Sequence, residues 1–506
     1  MGPDMWKTLG RTAAILILAV GALAAYLLRG GVRRFETTPH AVPPAAFTSW
    51  NDVLAHPRDI SLTTLQTGVV HMDACLNLDP ASPKQADCDH VPRDLAVLVH
   101  WVHHPRFGDF LIDAGFDDSF AKHPPYGNYT GAMRLFNWAN DVTNRQEPGA
   151  DLAAQLARLN VHPKAVLFTH LHPDHTGGGG VFAGNDHPEV LAHRLFVDRV
   201  PDVGRNGRDG GDQFGSTLPD ALFINAGTGM EFGRRPAPSA YIPPTRTFSG
   251  DRLELTIAGV RLQLLHTPGE TRENITVWLP DKRVLLPGDD FYKAFPTLYA
   301  IRGARLRPID QWIASLGLMI DLGADYLVPG HTRPVLGSAN VRAALTTYRD
   351  GIKSILDQTL EGMKKGERPD ELVQHVTLPP ALAVSPYLQE FYGTVAWSVR
   401  AIYADYAGWF DGNPTRLFPL PERDRAARVI ELAGGREQVL SRARRALAGK
   451  DFQWAAELTD YILAIDAGDV EARRLKAAAL SELGERQISA IARNYYLSAA
   501  QYLRRD

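Results

Sequence analysis

The sequence predicts an α/β sandwich followed by an all-helical domain. Three observations lead there. Apolar runs bounded by turn residues recur between Leu95 and His331, interleaved with helical spacing. One of them, "KAVLFTH", runs straight into a loop dense in histidine and aspartate. After Gly337 the strand signals stop and long helical stretches take over.

The chain has 506 residues, enough for two to four domains at roughly 100–200 residues each. With 45% apolar and 22% charged residues it has ordinary globular composition, and a net charge of −3 with no basic run excludes nucleic acid as a partner.

From the N-terminus, "TAAILILAVGALAAYLL" (Thr12 to Leu28) carries no charge, with Lys7 and Arg11 before it and Arg29, Arg33 and Arg34 after it. It lies at the short limit for a membrane span of ~20 residues and equally fits a signal-peptide apolar region, with Ala22 to Ala24 as a cleavage site. Residues 1–35 are therefore expected to be a signal or anchor segment. The protein is expected to be exported to a bacterial periplasm, or anchored in the inner membrane facing it. The trailing arginines oppose an N-inside orientation, a rule that weakens for long translocated domains. "TTPHAVPPAAF" (Thr37 to Phe47) is a Pro-rich spacer. Cys75 and Cys88 flank a polar loop, and export would favour one disulfide between them.

"LAVLVHWV" (Leu95 to Val102) and "GDFLIDAGF" (Gly108 to Phe116) read as strands, and "DLAAQLARLNV" (Asp151 to Val161) as a helix with Leu152, Leu156 and Leu159 on one face. "RLELTIAGVRLQLLHTPG" (Arg252 to Gly269) reads as two strands turning at Gly259. "ITVWLPDKRVLLPGDD" (Ile275 to Asp290) reads as a hairpin turning at Asp281, and "ADYLVPGH" (Ala324 to His331) as a last strand. These place an α/β domain over residues 36–338. Residues 339–506 then form the helical domain. "PDELVQHVTLPPAL" is expected to continue the helices that begin at Ala339. Near the end, Trp454, Leu458, Ile462 and Ile465 form one helical face, and Ala472, Leu475, Ala479 and Leu483 another, a helix pair of tetratricopeptide-like size. So small a pair needs a neighbouring domain or a second subunit to pack on.

The chemistry concentrates in "VLFTHLHPDHTGGGG" (Val166 to Gly180). His170 and His172 are two apart, so on extended chain they face one side. Asp174 and His175 follow on a loop opened by Pro173, and the glycines after it permit a tight turn. Imidazole nitrogen and carboxylate oxygen are the donors that divalent zinc takes at ~2.0–2.2 Å.

This H-x-H-x-D-H pattern resembles the metallo-β-lactamase superfamily, which implies an αββα sandwich. The resemblance also implies where further ligands lie. "LLHTPGETREN" supplies Glu270 where most of the superfamily has histidine, "LLPGDD" supplies Asp289 as the bridging acid, and "LVPGH" supplies His331. One metal would take His170, His172 and Glu270, and the other Asp174, His175 and His331, with Asp289 shared. Asp113 of "LIDAG" matches a supporting position. A pair of zinc ions so held would keep a bridging hydroxide at neutral pH and make a hydrolase, with Asp289 and Asp174 in the catalytic set. Manganese or iron would also fit such ligands.

Glu270 resembles the alkylsulfatase branch. So do "FPTLYAIRGARLRPIDQWIASL", "YRDGIKSILDQTLEGMKKGERPDEL", "LPPAL", "YLQEFYGTVAWSVRAIYADYAGWFDGNPTRLFPLP" and "ARNYYLSAAQYLR", which together look like the alkylsulfatase dimerisation domain. The resemblance implies a homodimer and a hydrophobic sulfate ester as substrate. It places Arg302 against the sulfate, where a guanidinium can donate two parallel hydrogen bonds. Three departures stand out. Thr297 replaces the family's asparagine, Thr332 follows His331 in place of a histidine, and Trp397 occupies the position of the family's proton-donating histidine. Tryptophan transfers no proton. Tyr392, Tyr403 or a metal-bound water would have to protonate the leaving group, or the substrate would be a lactone or carboxylic ester that needs less help, with Trp397 lining an apolar pocket. A third reading, a non-catalytic binding protein that has kept the fold, would require the metal ligands to be idle.

Overall fold

A computed structural model of the chain describes residues 60–72, 93–116, 149–183, 186–199, 213 and 242–504. The N-terminal apolar segment, the Pro-rich spacer and both cysteines lie outside the described residues. Among those described, no helix is long and apolar enough to cross a membrane.

Among the described residues, twelve strands form two six-stranded sheets. The first runs β1 (Ser61–Met72), β2 (Arg93–His104), β3 (Gly108–Ile112), β4 (Pro163–Leu167), β5 (Glu189–His193) and β6 (Arg246–Phe248) in that spatial order. Its first two pairings are antiparallel and the rest parallel. The second runs β7 (Arg252–Ile257), β8 (Val260–His266), β9 (Ile275–Leu279), β10 (Val284–Leu286), β11 (Tyr326–Leu327) and β12 (Val335–Leu336). It is antiparallel except for β10 with β11.

Period-two alternation sorts the side chains into layers. Phe110, Ile112, Ala165 and Leu167 of the first sheet meet Leu262, Leu264, Ile275, Val277 and Leu286 of the second in the central core. Val166 and Phe168 point the other way, against α1 (Leu152–Leu159) and Phe196 of a short helix, α3 (Arg194–Arg199). Between these two helices lies α2 (Pro173–Thr176), a single turn in the metal-type motif. On the far side, Leu265, Trp278 and Leu285 pack against α4 (Ile309–Asp321), α5 (Ser338–Lys364) and, beyond two single turns α6 (Pro369–Leu372) and α7 (Pro380–Ala383), α8 (Val395–Ala407). The result is the αββα order. Each fully buried Leu or Ile contributes roughly 1.5–3 kcal/mol, so a polar residue at Leu264 or Val277 would open the central core.

Several local expectations hold and some do not. Helix α1 begins at Asp151, whose side chain accepts from Ala154 N at 2.8 Å, and ends at left-handed Asn160. The strand β3 stops at Ile112, because Asp113 turns into the left-handed region at φ 63°. The strand expected last, over Ala324 to His331, is only the two residues of β11, and β12 follows it. "PDELVQHVTLPPAL" forms only α6 and α7, since its prolines remove helical donors.

The C-terminal residues form α9 (Glu422–Leu432), α10 (Arg436–Ala448), α11 (Phe452–Ile465), α12 (Val470–Glu485) and α13 (Ala490–Arg504), which pack on one another through two small apolar clusters. The buried face of α11 is Phe452, Ala455, Leu458, Thr459 and Ile462; Trp454, expected inside, is 44% exposed. Ala472 and Ala479 of α12 are buried as expected, with Leu475 and Leu483 partly covered.

Candidate active site

The loops at the ends of β3, β4, β8, β10 and β11 converge at one edge of the sandwich. Asp113 builds the floor. Its carboxylate accepts from Thr169 N at 2.8 Å, from Thr169 Oγ1 at 2.8 Å, and from His175 Nδ1 at 2.7 Å. Thr169 Oγ1 also lies 3.0 Å from His170 Nδ1. Two histidines are thereby held by their outer nitrogens with their inner nitrogens pointed at one another's neighbours. Gly178 seats this loop: its N–H donates to Gly115 O at 2.8 Å, and a Cβ there would sit 2.1 Å from Ala114 O.

The inner atoms form two overlapping sets. Donor atoms of His170, His172 and Asp289 lie within 4.8 Å of one another, and so do those of Asp174, His175 and His331. His170 Nε2 is 3.0 Å from His172 Nδ1, and His175 Nε2 is 3.1 Å from His331 Nε2. Asp289 touches both sets: Oδ1 is 3.2 Å from His175 Nε2, while Oδ2 is 3.2 Å from His331 Nε2 and 3.6 Å from His170 Nε2. Asp174 Oδ2 is 3.1 Å from His331 Nε2. Glu270 stands at the rim, its Oε1 4.0 Å from His172 Nδ1 and 2.7 Å from Arg307 Nη1.

The electrostatics fit a divalent pair. Oδ1 of Asp174 and Oε2 of Glu270 are buried without a hydrogen-bond partner, while Oδ2 of Asp174 and Oδ1 of Asp289 face the inner nitrogens of His331 and His175. Leaving buried carboxylates uncompensated costs several kcal/mol per ion, which cations placed between them would offset. Burial and the neighbouring His175 hold His170 down at about 3, so its inner nitrogen keeps its lone pair. Burial, His170, Arg302 and Arg307 likewise push His172 well below its ordinary value. His331 goes the other way: burial lowers it, but Asp289 and Asp174 lift it to about 10. His175 is raised in the same manner by Asp289 and Asp113. Those two protons sit where a metal would bind and would leave when it does.

Of the residues expected to meet substrate, Arg302 is half-buried and its Nη2 lies 3.4 Å from His172 Nε2, beside the first set. Thr297 is buried, its N–H donates to Tyr292 Oη at 3.1 Å, and its hydroxyl has no hydrogen-bond partner. Trp397 lies half-buried in the first turn of α8, its N–H held by Thr394 Oγ1 at 3.2 Å. Among the described residues no hydrogen bond or ring contact joins its indole to the histidine cluster.

Several participants were missed in the sequence. Arg307 follows Arg302 within "IRGARLR", and nothing in that spacing marks it as a partner of the site. Asp290, second acid of "GDD", is fully buried and accepts from Glu270 N at 2.8 Å. Glu273 is buried and accepts from Leu171 N at 3.2 Å between the first two histidines, with Arg199 paired to its other oxygen. Tyr292 and Tyr348 pack edge to face behind Glu270. Only the acid after "GD" carried a signal that could have been read.

An αββα sandwich carrying two carboxylate-linked histidine sets at its strand ends is a metallo-β-lactamase-superfamily metallohydrolase. Residues 98–331 match the family profile for the metallo-beta-lactamase superfamily, and residues 368–506 match that for alkyl sulfatase dimerisation. The chain is 39% identical to a linear primary-alkylsulfatase of a Pseudomonas species over 376 residues, 72% of this chain and 71% of that protein. It is 30% identical to the alkyl/aryl-sulfatase BDS1 of Saccharomyces cerevisiae over 357 residues, 67% of this chain and 55% of that one. Among solved structures it resembles the stereoselective inverting sec-alkylsulfatase Pisa1 from Pseudomonas, with a TM-score of 0.66 at 26% identity, covering 80% of this chain and 62% of that one. The chain belongs to the alkylsulfatase family of the metallo-β-lactamase superfamily.

Proposed function

We propose that this protein hydrolyses sulfate esters of hydrophobic alcohols with two zinc ions. The observation that carries the reading is the placement of Arg302 beside His172, a cation at the edge of the carboxylate–histidine cluster. An anionic ester would meet a guanidinium there. The relatives' names, primary-alkylsulfatase and alkyl/aryl-sulfatase, point to the same chemistry.

His170, His172 and Glu270 would hold one ion, Asp174, His175 and His331 the other, and Asp289 both. The mixed imidazole and carboxylate set suits zinc. When bound, a pair of divalent ions supplies Lewis acidity and a nucleophile at neutral pH. The chain's own residues do the rest. Asp289 and Asp174 would supply the carboxylate oxygens that hold the ions beside the histidines. Arg302 and the Thr297 hydroxyl orient the sulfate oxygens. Tyr392 serves as proton donor to the leaving alkoxide, since Trp397 has no proton to give and instead contributes apolar surface. Burial pushes the Tyr392 phenol above its ordinary value and keeps it protonated, with Arg302 and Glu270 among the charges it senses.

The helical residues 339–506 serve dimerisation, and residues 1–35 export or anchor the chain. On that reading the enzyme would work in, or facing, a periplasm. Thr297 and Trp397 favour a second reading, a carboxylic ester or lactone hydrolase on the same site. A panel of dodecyl sulfate, a long-chain lactone and a p-nitrophenyl carboxylate, run on wild type and Arg302→Met, separates the two. Sulfate turnover that falls at least tenfold in the variant supports the first; carboxylate turnover insensitive to Arg302, with no sulfate release, supports the second. A purified protein that holds no metal and turns over none of the three would mark a binding protein.

A further inference from the structure

We propose that Arg307 is the positioning residue that aims Glu270 at the metal beside His172. The inference rests on the dinuclear reading above. Arg307 is buried, and its Nη1 pairs with Oε1 of buried Glu270 at 2.7 Å. That same oxygen stands 4.0 Å from His172 Nδ1. Two donors each ~2.0–2.2 Å from a shared ion lie no more than about 4.4 Å apart, so Oε1 is already within ligand spacing of His172. The guanidinium therefore holds the atom on the metal side, while Oε2 has no hydrogen-bond partner.

The rest of the holder is built around the same pair. Glu270 N–H donates to Asp290 Oδ1 at 2.8 Å, which fixes the main chain at the root of the side chain. Asp290 O accepts from the indole N–H of Trp312 at 3.0 Å, and the Arg307 guanidinium lies over the Trp312 ring at 5.9 Å from its centroid. Arg307 precedes Pro308, the cap of α4, so the arginine is rooted in the helix that carries Trp312. Backbone and carboxylate of Glu270 are thus gripped by one connected unit. Neither Arg307 nor Trp312 touches the Asp174–His175–His331 set in any bond described above.

Charge and positioning make opposite forecasts, which gives the test its sign. Removing a cation from beside a divalent ion would, by charge alone, tighten that ion. Releasing a ligand from its holder would loosen it, typically by 10–100-fold for outer partners of metal ligands. The experiment is a chelator competition on the zinc-loaded full chain, with metal retained per chain counted by mass spectrometry, for wild type, Arg307→Met, Arg307→Lys and Glu270→Gln. The expected result is two metals in the wild type. One of them should be lost from Arg307→Met at about 10–100-fold lower chelator concentration, with the other unaffected and Glu270→Gln losing the same one. Thermal unfolding checks that each variant is folded. Should Arg307→Met not fold, Arg307→Lys decides: it keeps the charge without the planar fork, and several-fold weakening of one metal is expected. An Arg307 variant that retains both metals as tightly as wild type, or more tightly, overturns the inference. A wild type that holds fewer than two metals overturns the dinuclear reading instead.

Discussion

The hydroxyl of Ser489 donates to the main-chain carbonyl of Tyr392 at 2.9 Å. Next to it, Ala490 N–H donates to Phe391 O at 2.8 Å. The N-terminus of the last helix thus grips the short segment that carries Tyr392. On its other flank, Gly393 N–H donates to Phe295 O at 3.0 Å, and Phe295 leads into Thr297. The far C-terminal helix and the site loop hold Tyr392 between them. If Tyr392 protonates the leaving group, Tyr392→Phe lowers kcat on dodecyl sulfate by ~10²–10⁴-fold. KM and metal content should stay near wild type, and an aryl sulfate with a better leaving group should be affected much less. Steady-state kinetics on the two substrates checks this.

Gly393 has no room for a side chain. A Cβ there would sit 2.0 Å from Pro296 O, a main-chain atom that cannot swing aside. Gly393→Ala should therefore displace the Phe295–Thr297 segment, lowering the thermal midpoint by several degrees and activity by at least tenfold. Differential scanning calorimetry and turnover report the two effects.

Asp113 positions His175 through the 2.7 Å contact to Nδ1 and ties down Thr169 with its other oxygen. Asp113→Asn keeps the size and loses the charge that steadies the imidazole. Metal affinity should fall about 10–100-fold at the site His175 serves. A chelator titration of that variant measures it.

His193 at the end of β5 stacks on His266 at 3.9 Å between ring centroids and meets Phe248 edge-on. Burial first, and then His266, lowers it to about 4, with Gly250 O and the charges of Asp198 and Asp251 opposing. The fold therefore resists its protonation. The sign follows: the contribution to stability is complete above about 6.5, declines as pH falls toward 4, and is flat below that. His193→Gln should flatten the loss of stability between pH 6.5 and 4 relative to wild type, read from urea midpoints across that range.

The sandwich was legible because strand alternation and turn residues are local. Leu262, Leu264, Ile275 and Val277 face the central core as their spacing requires, and His170, His172, Asp174 and His175 lie together in the loop and single helical turn after β4. What escaped was non-local. The tie between Arg307 and Glu270 depends on how α4 packs against the β8–β9 connection, which no spacing encodes. Trp454 was placed on the wrong face because an apolar residue at the edge of a helical stripe can point either way. The burial of Ala455 and Ala456 shows the true face turned toward small residues, which permit close helix approach. The prolines of "TLPPAL" were readable helix stops that the surrounding helical material masked.

The most direct test is a metal titration followed by sulfate release. The purified chain, stripped of metal, is given zinc in steps, and sulfate from dodecyl sulfate is measured against bound zinc, with Asp289→Ala alongside. Release should be absent without metal, rise until two zinc ions are bound per chain, and stay absent in the variant. Sulfate release that is independent of metal, or no release with two zinc ions bound, would contradict the account.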